Sequence, residues 1–425
     1  MREFLFYGAG GYAHEFGRTL INESGYYPLA FVDSDCSKWG SLFKMKGIEE
    51  GFRVISLEEA VKTYSDADFL LVVIPDYRME ILSQLNDFEI PKNRIYILDY
   101  NTNMISEDYE YRLGCGSIGT QLIFNTNAVL TCCFNIGKLM GVKGLFNDSE
   151  HAYKAYRHYT NELNKNLKDN TPCDCHGCPR LTLGLWNNNP TLSRVGFSSG
   201  FYGDSCPASC IYCNHEPNNS KNYKLTVANA LENLIKGQYV TKNTIFSFTN
   251  AEPLANKDID KVFDLLETHE LRSCFLSSGY IYNERLANNL SNGMTKLLIS
   301  IDAGTAKTYS IVKQCSEKMF NHVIDNIEKW HNEAFDKHTI ELKYIILEGI
   351  NDNDEDIKGF IDIVKRFKCT VHIANDSKKS KSLCDQSKEY VKRLVEEVNS
   401  FNLPFLIHEQ YFTPEHVSYF KQNIK

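Results

Sequence analysis

The stretch DSCPASCIYC at residues 204–213 places Cys206, Cys210 and Cys213 in one short loop that follows an apolar run. Three thiolates from one loop can hold three irons of a cubane iron–sulfur cluster and leave the fourth iron open to a small chelating molecule. A zinc site usually combines two Cys-x2-Cys pairs or adds histidines, and His215 follows too closely to form such a second half. The spacing therefore favours an iron–sulfur cluster over zinc or a chance group of thiols.

An aromatic residue, Tyr212, stands directly before the third cysteine, and the resulting Cys-x3-Cys-x-aromatic-Cys array resembles the signature of the radical S-adenosylmethionine (SAM) enzymes. The resemblance implies that Cys206, Cys210 and Cys213 are metal ligands and catalytic residues that bind a [4Fe-4S] cluster, with SAM on its open iron. It also implies reductive cleavage of SAM to a 5′-deoxyadenosyl radical, which abstracts hydrogen from a substrate. A flavodoxin or ferredoxin is the expected electron donor.

The composition is that of a soluble globular protein of two or three domains, with 425 residues, 43% hydrophobic and 24% charged. A net charge of −8 argues against nucleic acid as a partner. No apolar run approaches the roughly 18 residues that a membrane span needs, and the chain enters its first strand without an apolar leader. The 14 cysteines occur mostly in close sets, which suits metal binding in a reducing cell. We therefore expect a cytoplasmic protein without a membrane partner.

Residues 1–100 carry the pattern of a Rossmann-like parallel sheet. A strand at Glu3–Tyr7 is followed by GAGGYA, a helix, and a second strand that ends at Asp33. Glycines at Gly8 and Gly10 would let the backbone approach a phosphate at the helix N-terminus, and an acidic residue about 25 positions later is typical of dinucleotide folds. Gly8, Gly10 and Asp33 are therefore candidate nucleotide-binding residues.

The same two runs, YGAGG at residues 7–11 and FVDSD at residues 31–35, resemble the N-terminal domain of sialic-acid-type sugar O-acetyltransferases. That domain binds a nucleotide-linked sugar, so the resemblance implies a nucleotide sugar as ligand. A scaffold that has lost its ligand would show the same pattern, and this alternative stays open. A nicotinamide dehydrogenase is disfavoured because no matching catalytic domain follows.

Residues 101–192 form a cysteine-rich segment. A predicted hairpin at residues 121–130 leads into two adjacent cysteines, a helix follows at residues 149–167, and a loop then carries CDCHGC. This arrangement is loosely similar to the accessory cluster modules of radical SAM enzymes, which usually follow the barrel. We predict a second metal centre, an auxiliary iron–sulfur cluster, and leave zinc or structural thiols as alternatives. Its candidate ligands are Cys133 or Cys132 together with two or three of Cys173, Cys175 and Cys178.

Strands and amphipathic helices alternate in residues 193–425 and predict a partial (β/α)6 barrel of the TIM type with a C-terminal extension. Barrel enzymes carry their chemistry at the carboxyl ends of the strands, and every motif of this segment falls there. The predicted strands are Ser193–Ser198, Thr244–Thr249, Ser273–Leu276, Lys296–Ile301, Glu341–Leu347 and Thr370–Ala374. The whole chain is thus expected to be α/β, with the cysteine-rich insert between a Rossmann-like sheet and the partial barrel.

Three strand ends carry candidate SAM-binding residues. The run Asn250–Pro253 resembles the Gly-Gly-Glu-Pro motif of the superfamily, with asparagine and alanine in place of the glycines, and implies that Glu252 holds the SAM amino group. Ser278 lies in a polar turn suited to a ribose or substrate contact. Ser300 and Asp302 resemble the Ser-x-Asp segment near the SAM ribose and carboxylate. A later Gly-x-Asn-Asp turn has a plainer interpretation, helix capping by its asparagine or aspartate.

A sugar-nucleotide-like first domain joined to a radical barrel predicts an enzyme that modifies a nucleotide-activated sugar or surface-glycan precursor by epimerisation, dehydration or oxidation. One alternative is a peptide- or protein-modifying radical SAM maturase with an auxiliary cluster. It is disfavoured because a glycine-loop α/β domain occupies the place of the usual peptide-binding domain. Another alternative is a non-catalytic binding protein that retains a cluster, against which the intact cysteine set argues.

Overall fold

The computed structural model describes residues 2–99, 105–106, 108–125, 128–132, 140–144, 146–178, 180–198, 206–213, 225–249, 251–376, 378 and 381–422. The chain divides into two compact units. Unit 1 comprises Met1–Gln121 and Ala155–Ser193, and unit 2 comprises Leu122–Lys154 and Arg194–Lys425. Within the described residues, no helix combines the length and the apolar character needed to cross a membrane.

Unit 1 is built on a sheet whose strand order is β3-β4-β2-β1-β5-β6-β7. The five central strands, from β4 to β6, pair in parallel, and the two outer strands are antiparallel. The strands are β1 Arg2–Tyr7, β2 Tyr26–Val32, β3 Leu42–Lys44, β4 Gly51–Ile55, β5 Phe69–Leu71, β6 Ile95–Leu98 and β7 Ile105–Ser106. The β3–β4 pair was not predicted, because short strands interrupted by charged residues lack a clear apolar alternation.

Side chains of β1 alternate between two cores, one on each face of the sheet. Phe4 and Phe6 pack in one cluster, and Leu5 and Tyr7 pack in the other. This is the period of two that a strand covered on both faces requires. The covering helices are α1 Gly11–Arg18, which continues as a π-helical turn at Thr19–Glu23, α2 Leu57–Thr63 and α3 Pro75–Asp87.

Two further elements of unit 1 come from the predicted cysteine-rich segment. Strand β8, Tyr109–Gly114, pairs antiparallel with β12, Thr182–Asn187. Helix α4, Ser149–Lys168, begins in unit 2 and continues in unit 1. The predicted helix at residues 149–167 is therefore confirmed.

Unit 2 contains a larger sheet with the order β11-β10-β9-β13-β14-β15-β16-β17-β18-β19. The seven strands from β13 to β19 are parallel and adjacent in chain order; the first six correspond to the predicted strands, and the seventh, β19, was not predicted. They are β13 Arg194–Phe197, β14 Ile245–Phe248, β15 Arg272–Ser277, β16 Thr295–Ser300, β17 Ile340–Ile346, β18 Thr370–Asn375 and β19 Phe405–Ile407. The sheet is open: β11 and β19 are its end strands.

The predicted hairpin is present and forms one end of this sheet. Strands β9 Gln121–Asn125 and β10 Ala128–Cys132 pair antiparallel, and β11 Met140–Lys143 adds a third strand that was not predicted. The outer helices are α5 Val227–Lys236, α6 Ile259–Thr268, α7 Glu284–Ser291, α8 Ala306–Lys313, α9 Lys318–Glu333, α10 Asp354–Phe367, α11 Asp385–Ser400 and α12 Pro414–Phe420.

The bounds of helix α10 were predicted correctly, because its apolar stripe and its polar N-terminal residues are local features of the sequence. Its apolar stripe of Ile357, Phe360, Ile361 and Val364 is buried. Its N-cap is Asn353, whose side chain accepts a hydrogen bond from the amide of Asp356 at 3.0 Å. The sequence suggested Asn351 or Asp352 as the cap. The cap is instead the next residue, and the side chains of Asn351 and Asp352 have other partners.

The loop after β16 lies against the start of α10 with no room for side chains at the contact. A Cβ added to Gly304 would lie 1.8 Å from the carbonyl oxygen of Asp356, and one added to Gly359 would lie 2.2 Å from the carbonyl oxygen of Gly304. The Asp356 carboxylate also accepts from the amides of Gly304 and Thr305, at 2.9 and 3.1 Å. Glycine at both positions is therefore a packing requirement.

Candidate active site

A cavity of about 330 Å³ in unit 2 lies at the carboxyl ends of the parallel strands. Its volume is in the range of small-molecule and cofactor sites, roughly 300–1,000 Å³. The sequence-predicted residues that line it are Cys206, Cys210, Cys213, Ser278 and Ser300. The structure therefore brings the cysteine loop together with all three strand-end motifs that the sequence singled out, the first of them through Ala251.

The three cysteine side chains are partly buried and share this cavity. Burial raises the pKa of the Cys206 and Cys210 thiols, and a bound metal ion would deprotonate such ligands outright. Among the residues that the structure describes, no three His, Cys, Asp or Glu side chains converge on a single metal ion. A cubane is held differently, because each thiolate serves its own iron, so a soft three-sulfur set around one cavity fits that group.

The cysteine loop is attached to the end of helix α8 by its backbone. The amide of Ser209 donates to the carbonyl of Lys313 at 3.3 Å, and the amide of Ile211 donates to the carbonyl of Val312 at 3.0 Å. These bonds fix the loop against the element that follows strand β16. The position of the thiols is thus set by a helix end.

Tyr212, the aromatic residue of the cysteine array, adds a side-chain connection to the same element. Its hydroxyl donates to Asp302 Oδ2 at 2.5 Å and accepts from Lys313 Nζ at 2.7 Å. Lys313 Nζ also donates to Asp302 Oδ2 at 2.6 Å. The three side chains therefore form a closed hydrogen-bonded triangle beneath the cysteine loop, and Tyr212 and Lys313 line the cavity.

Asp302 itself is fully buried, and its contacts position it. Its Oδ1 accepts from the amide of Ile345 at 2.8 Å, and its backbone carbonyl accepts from Asn351 Nδ2 at 2.9 Å. Its backbone is left-handed, with φ of 56°. Asp302 is not among the residues that line the cavity, so its effect on a ligand would pass through Lys313 and Tyr212.

Glu252 is also fully buried and lies behind the cavity wall. Its carboxylate accepts from the amide of Ser278 at 2.8 Å, from the Ser278 hydroxyl at 2.5 Å and from the Ser277 hydroxyl at 3.0 Å. Burial raises the pKa of this carboxyl, and the hydrogen bonds from Ser278 oppose the rise. The direct SAM contacts predicted for Glu252 and Asp302 remain predictions, whereas Ser278 and Ser300 face the cavity.

A series of hydrogen-bonded polar side chains runs across strands β17, β18 and β19, at one edge of the sheet. Glu341 Oε2 lies 2.9 Å from His372 Nε2, and His372 Nδ1 lies 3.0 Å from His408 Nε2. Burial lowers the pKa of His408 to about 3, so its ring is neutral at physiological pH. His372, which the sequence left as a plain interior residue, is satisfied on both ring nitrogens.

In unit 1 the candidate nucleotide residues lie around the first strand–helix turn. Asp33 Oδ2 accepts from the amide of Ala9 at 2.8 Å and from Lys38 Nζ at 3.0 Å. Gly8 has φ of 115°, and a Cβ there would lie 2.4 Å from Val73 Cγ1. No atom lies within 4 Å of a Cβ built on Gly10, so this position is open.

Three of the other predicted metal ligands, Cys173, Cys175 and Cys178, lie in a turn of unit 1, whereas Cys132 ends strand β10 of unit 2. The amide of His176 donates to the carbonyl of Cys173 at 3.1 Å, and the amide of Cys178 donates to the carbonyl of Cys175 at 3.0 Å. Cys175 is buried and the other two are partly buried. Cys133 lies outside the described residues, so the auxiliary centre remains a prediction.

Comparison with known proteins agrees with the site. Residues 201–364 match the family model described as the radical SAM superfamily. This part of the chain is a radical SAM domain, and the protein is an enzyme.

The individual relatives are distant. The chain is 23% identical over 105 residues to a probable GTP 3′,8-cyclase of Methanococcus vannielii, and the match covers 24% of this chain and 35% of that protein. SuiB of Streptococcus suis bound to S-adenosylmethionine is 14% identical with a TM-score of 0.39, over 61% of this chain and 56% of that one. Native anSMEcpe with bound AdoMet is 17% identical with a TM-score of 0.39, over 51% of this chain and 64% of that one.

Two lysines of the cavity were missed by sequence reasoning. Lys313 ends a helix of ordinary composition, and its pairing with Asp302 depends on tertiary structure. Lys343 could have been noticed, because it and Glu341 interrupt an otherwise apolar strand at a spacing of two, which places both on one face.

Proposed function

We propose that the protein is a radical SAM enzyme that holds a [4Fe-4S] cluster on Cys206, Cys210 and Cys213. The observation that carries this proposal is the convergence of the three thiols with Ser278 and Ser300 on one cavity of about 330 Å³. When bound, the cluster and SAM supply a 5′-deoxyadenosyl radical that takes a hydrogen atom from the substrate. The residues of this chain supply binding, orientation and exclusion of water.

The described contacts assign a task to each wall of the cavity. Glu252 fixes the hydroxyl of Ser278, which together with the hydroxyl of Ser300 can bond the ribose or amino group of SAM. Asp302 bonds both Lys313 and Tyr212, so the cysteine loop is attached through Tyr212 to the cavity wall that Lys313 forms. Such preorganisation is how a protein positions a cofactor for reaction.

The proposal is tested by anaerobic reconstitution followed by iron analysis, EPR after dithionite and measurement of 5′-deoxyadenosine. We expect about four irons in the 206–213 cluster. Cys206→Ala should lose these irons and the SAM cleavage, whereas Cys274→Ala should keep both, because that buried thiol lies in strand β15, outside the cavity. Unchanged iron content and SAM cleavage in Cys206→Ala would refute the assignment.

For the substrate we propose a nucleotide-activated sugar or a surface-glycan precursor, bound through a Rossmann-like unit 1. Support comes from the order of its parallel strands across the sheet, which is 3-2-1-4-5 when they are numbered along the chain and matches five of the six strands of the dinucleotide-binding order 3-2-1-4-5-6. Further support comes from the open backbone at Gly10, next to the start of α1, where a phosphate could approach.

The substrate proposal is tested with reduced, reconstituted enzyme, SAM and a panel of UDP- and CDP-sugars. We expect at least one sugar to raise 5′-deoxyadenosine formation above its sugar-free level. Native mass spectrometry of the full chain should show that Gly10→Glu, which places a negative side chain in the open position, weakens binding of that sugar. No sugar-dependent rise across the panel would count against this substrate class.

The auxiliary cluster, the flavodoxin or ferredoxin donor and the cytoplasmic location are part of the same proposal. A reducing compartment suits the 14 cysteines, which occur mostly in close sets along the sequence. The auxiliary cluster is tested by replacing Cys173, Cys175 and Cys178 with serine together. About four irons per chain in both the parent and this variant would leave only the 206–213 cluster.

A further inference from the structure

Lys343 lies in the middle of strand β17, and its side chain lines the same cavity as the three cysteines. Its neighbours Leu342 and Tyr344 are buried on the opposite face, so the alternation of the strand directs Lys343 and Ile345 to the cavity side. Across the sheet, Lys343 is in register with Ser300 on one side and His372 on the other. It therefore belongs to the wall of the proposed reaction chamber.

The Lys343 amine makes no hydrogen bond or ion pair with the residues that the structure describes. The other lysine of the cavity, Lys313, is engaged by Asp302 at 2.6 Å and by the hydroxyl of Tyr212 at 2.7 Å. The nearest acidic residue along the strand, Glu341, is bonded to His372 at 2.9 Å. Lys343 is thus a partly buried amine to which no described residue offers a counterion in direct contact.

The electrostatics of the empty chamber disfavour the charged form of this amine. Burial lowers the pKa of Lys343, the neighbouring Lys313 ammonium lowers it further, and Asp302 raises it. An ammonium held in a partly buried site without a counterion is unfavourable, and a bound anion reverses the effect. The titratable and charged groups around it are Asp302 and Lys313 on the β16 side, Glu341 on its own strand, and His372 and His408 on the β18 and β19 side.

We propose that Lys343 forms an anion-binding subsite of the chamber, which takes a carboxylate or phosphate group of the substrate. The inference rests on the proposed function, since it takes this cavity as the reaction chamber. The substrate is favoured over the cofactor because Lys343 is in register with His372 on its far side, towards strands β18 and β19, and the proposed SAM-binding residues all end or follow β14, β15 or β16. A nucleotide sugar or a sugar acid carries such a group.

The test is competitive acetylation of the cluster-loaded full-length enzyme with acetic anhydride across a pH range, with the modified lysines quantified by mass spectrometry. Lys296, an exposed lysine at the other end of the sheet strands, is the internal reference. With S-adenosylhomocysteine bound, Lys343 should react, and inorganic phosphate or acetate should slow its reaction relative to chloride at equal ionic strength. A rise of one pKa unit corresponds to about a tenfold lower rate below the pKa.

Two results would overturn the proposal. One is a Lys343 rate that neither anion changes. The other is protection by S-adenosylhomocysteine but not by methylthioadenosine, which lacks the carboxylate, with no further effect of phosphate. That pattern would assign the amine to the cofactor.

A second measurement uses variants, with inorganic pyrophosphate as the probe in titration calorimetry of the S-adenosylhomocysteine-bound enzyme. Lys343→Met should weaken pyrophosphate binding at least tenfold, and Lys343→Arg should restore most of it. Lys296→Met removes a lysine charge outside the cavity and should bind as the parent does. Equal binding by the parent and Lys343→Met would overturn the subsite.

These readouts are independent of the radical reaction. Protection of Lys343 in a protein that forms no cluster and cleaves no SAM would leave the anion site standing and remove the proposed function. SAM cleavage by a cluster-loaded enzyme in which no anion protects Lys343 would leave the proposed function standing and remove the anion site.

Discussion

Lys313 and Asp302 form an ion pair of 2.6 Å in which the side chains are 1% and 0% exposed. Since solvent screens neither charge, each depends on the other for its neutralisation. Tyr212 bonds to both partners, so the pair also holds the aromatic residue of the cysteine array. The local order of the cysteine loop thus depends on a charge pair between the segment that follows β16 and the last residue of α8.

Breaking this pair should destabilise unit 2. Asp302→Asn leaves the Lys313 ammonium buried without its counterion, at a cost of about 3–5 kcal/mol in the free energy of unfolding. The double variant Asp302→Asn with Lys313→Met removes both charges and should recover much of the loss. Urea denaturation of the metal-free protein measures both, and a single-variant effect under about 1 kcal/mol would contradict the buried pair.

The alanine that replaces a motif glycine should carry backbone strain. Ala251 has φ of 51°, a left-handed conformation that costs a non-glycine residue about 1–2 kcal/mol. Ala251→Gly removes that cost but adds chain entropy to the unfolded state, so we expect a net gain of about 0.5–1 kcal/mol. The unfolding midpoint reports the change.

A matched control is Ala230→Gly inside helix α5, which should destabilise by about 1 kcal/mol or more. Equal loss of stability at both positions would show that residue 251 is not left-handed.

Gly8 and Gly10 stand two positions apart, and alanine should lower the stability of the fold at Gly8 but not at Gly10. Gly8→Ala places a methyl 2.4 Å from Val73 Cγ1 in a backbone of φ 115°, so a loss of at least about 1–3 kcal/mol is expected. Gly10→Ala meets no atom within 4 Å, and its stability should stay within about 0.5 kcal/mol. Thermal unfolding of the two variants shows whether each position requires glycine for packing or leaves ligand binding as the reason. A Gly8→Ala variant as stable as the parent would exclude packing as the reason at Gly8.

His408 should make the protein sensitive to acid. Its pKa falls from 6.5 to about 3 on folding, so between these values the unfolded chain binds the extra proton. Its contribution is therefore complete above pH 6.5 and is lost as the pH falls towards 3, with a slope of at most about 1.4 kcal/mol per pH unit. His408→Gln should flatten the stability profile between pH 6.5 and 4.5. A parallel profile in parent and variant would show that the pKa of this ring does not change on folding.

The lowered pKa of Glu341 limits the comparison of parent and His408→Gln to the range above about pH 4.5. The pKa of Glu341 is lowered in the fold, where burial opposes the shift and the bond to His372 produces it. Its contribution is present above about pH 4.5 and declines below, so it would add to the loss there.

Local patterns predicted much of the fold. The cysteine array, the apolar stripe of α10 and the alternating strands β13–β18 are features of short range, and the structure contains each of them. The weaker elements β3, β4 and β11 were missed, because their pairing depends on strands elsewhere in the chain.

The site was predicted less completely, since side-chain partners depend on register and packing. The SAM contacts of Asp302 and Glu252 stay predictions, and the sequence did not show that both side chains are fully buried and bonded to neighbours of the cavity wall. Lys343 stands out in the sequence as a charge in an apolar strand, but its place in the cavity and the lack of a described partner for its amine follow only from the fold. A sequence shows which groups are present, but which of them remain available for a ligand is a property of the folded neighbourhood.

The close backbone approach of Gly304 and Gly359 has a consequence for how the enzyme can diversify. The segment that follows Asp302 is pressed onto a helix with no intervening side chains, so neither partner can be repositioned by a substitution at the contact. New substrate preferences would then evolve on the β17–β19 side of the chamber, while the β16 side is inherited unchanged.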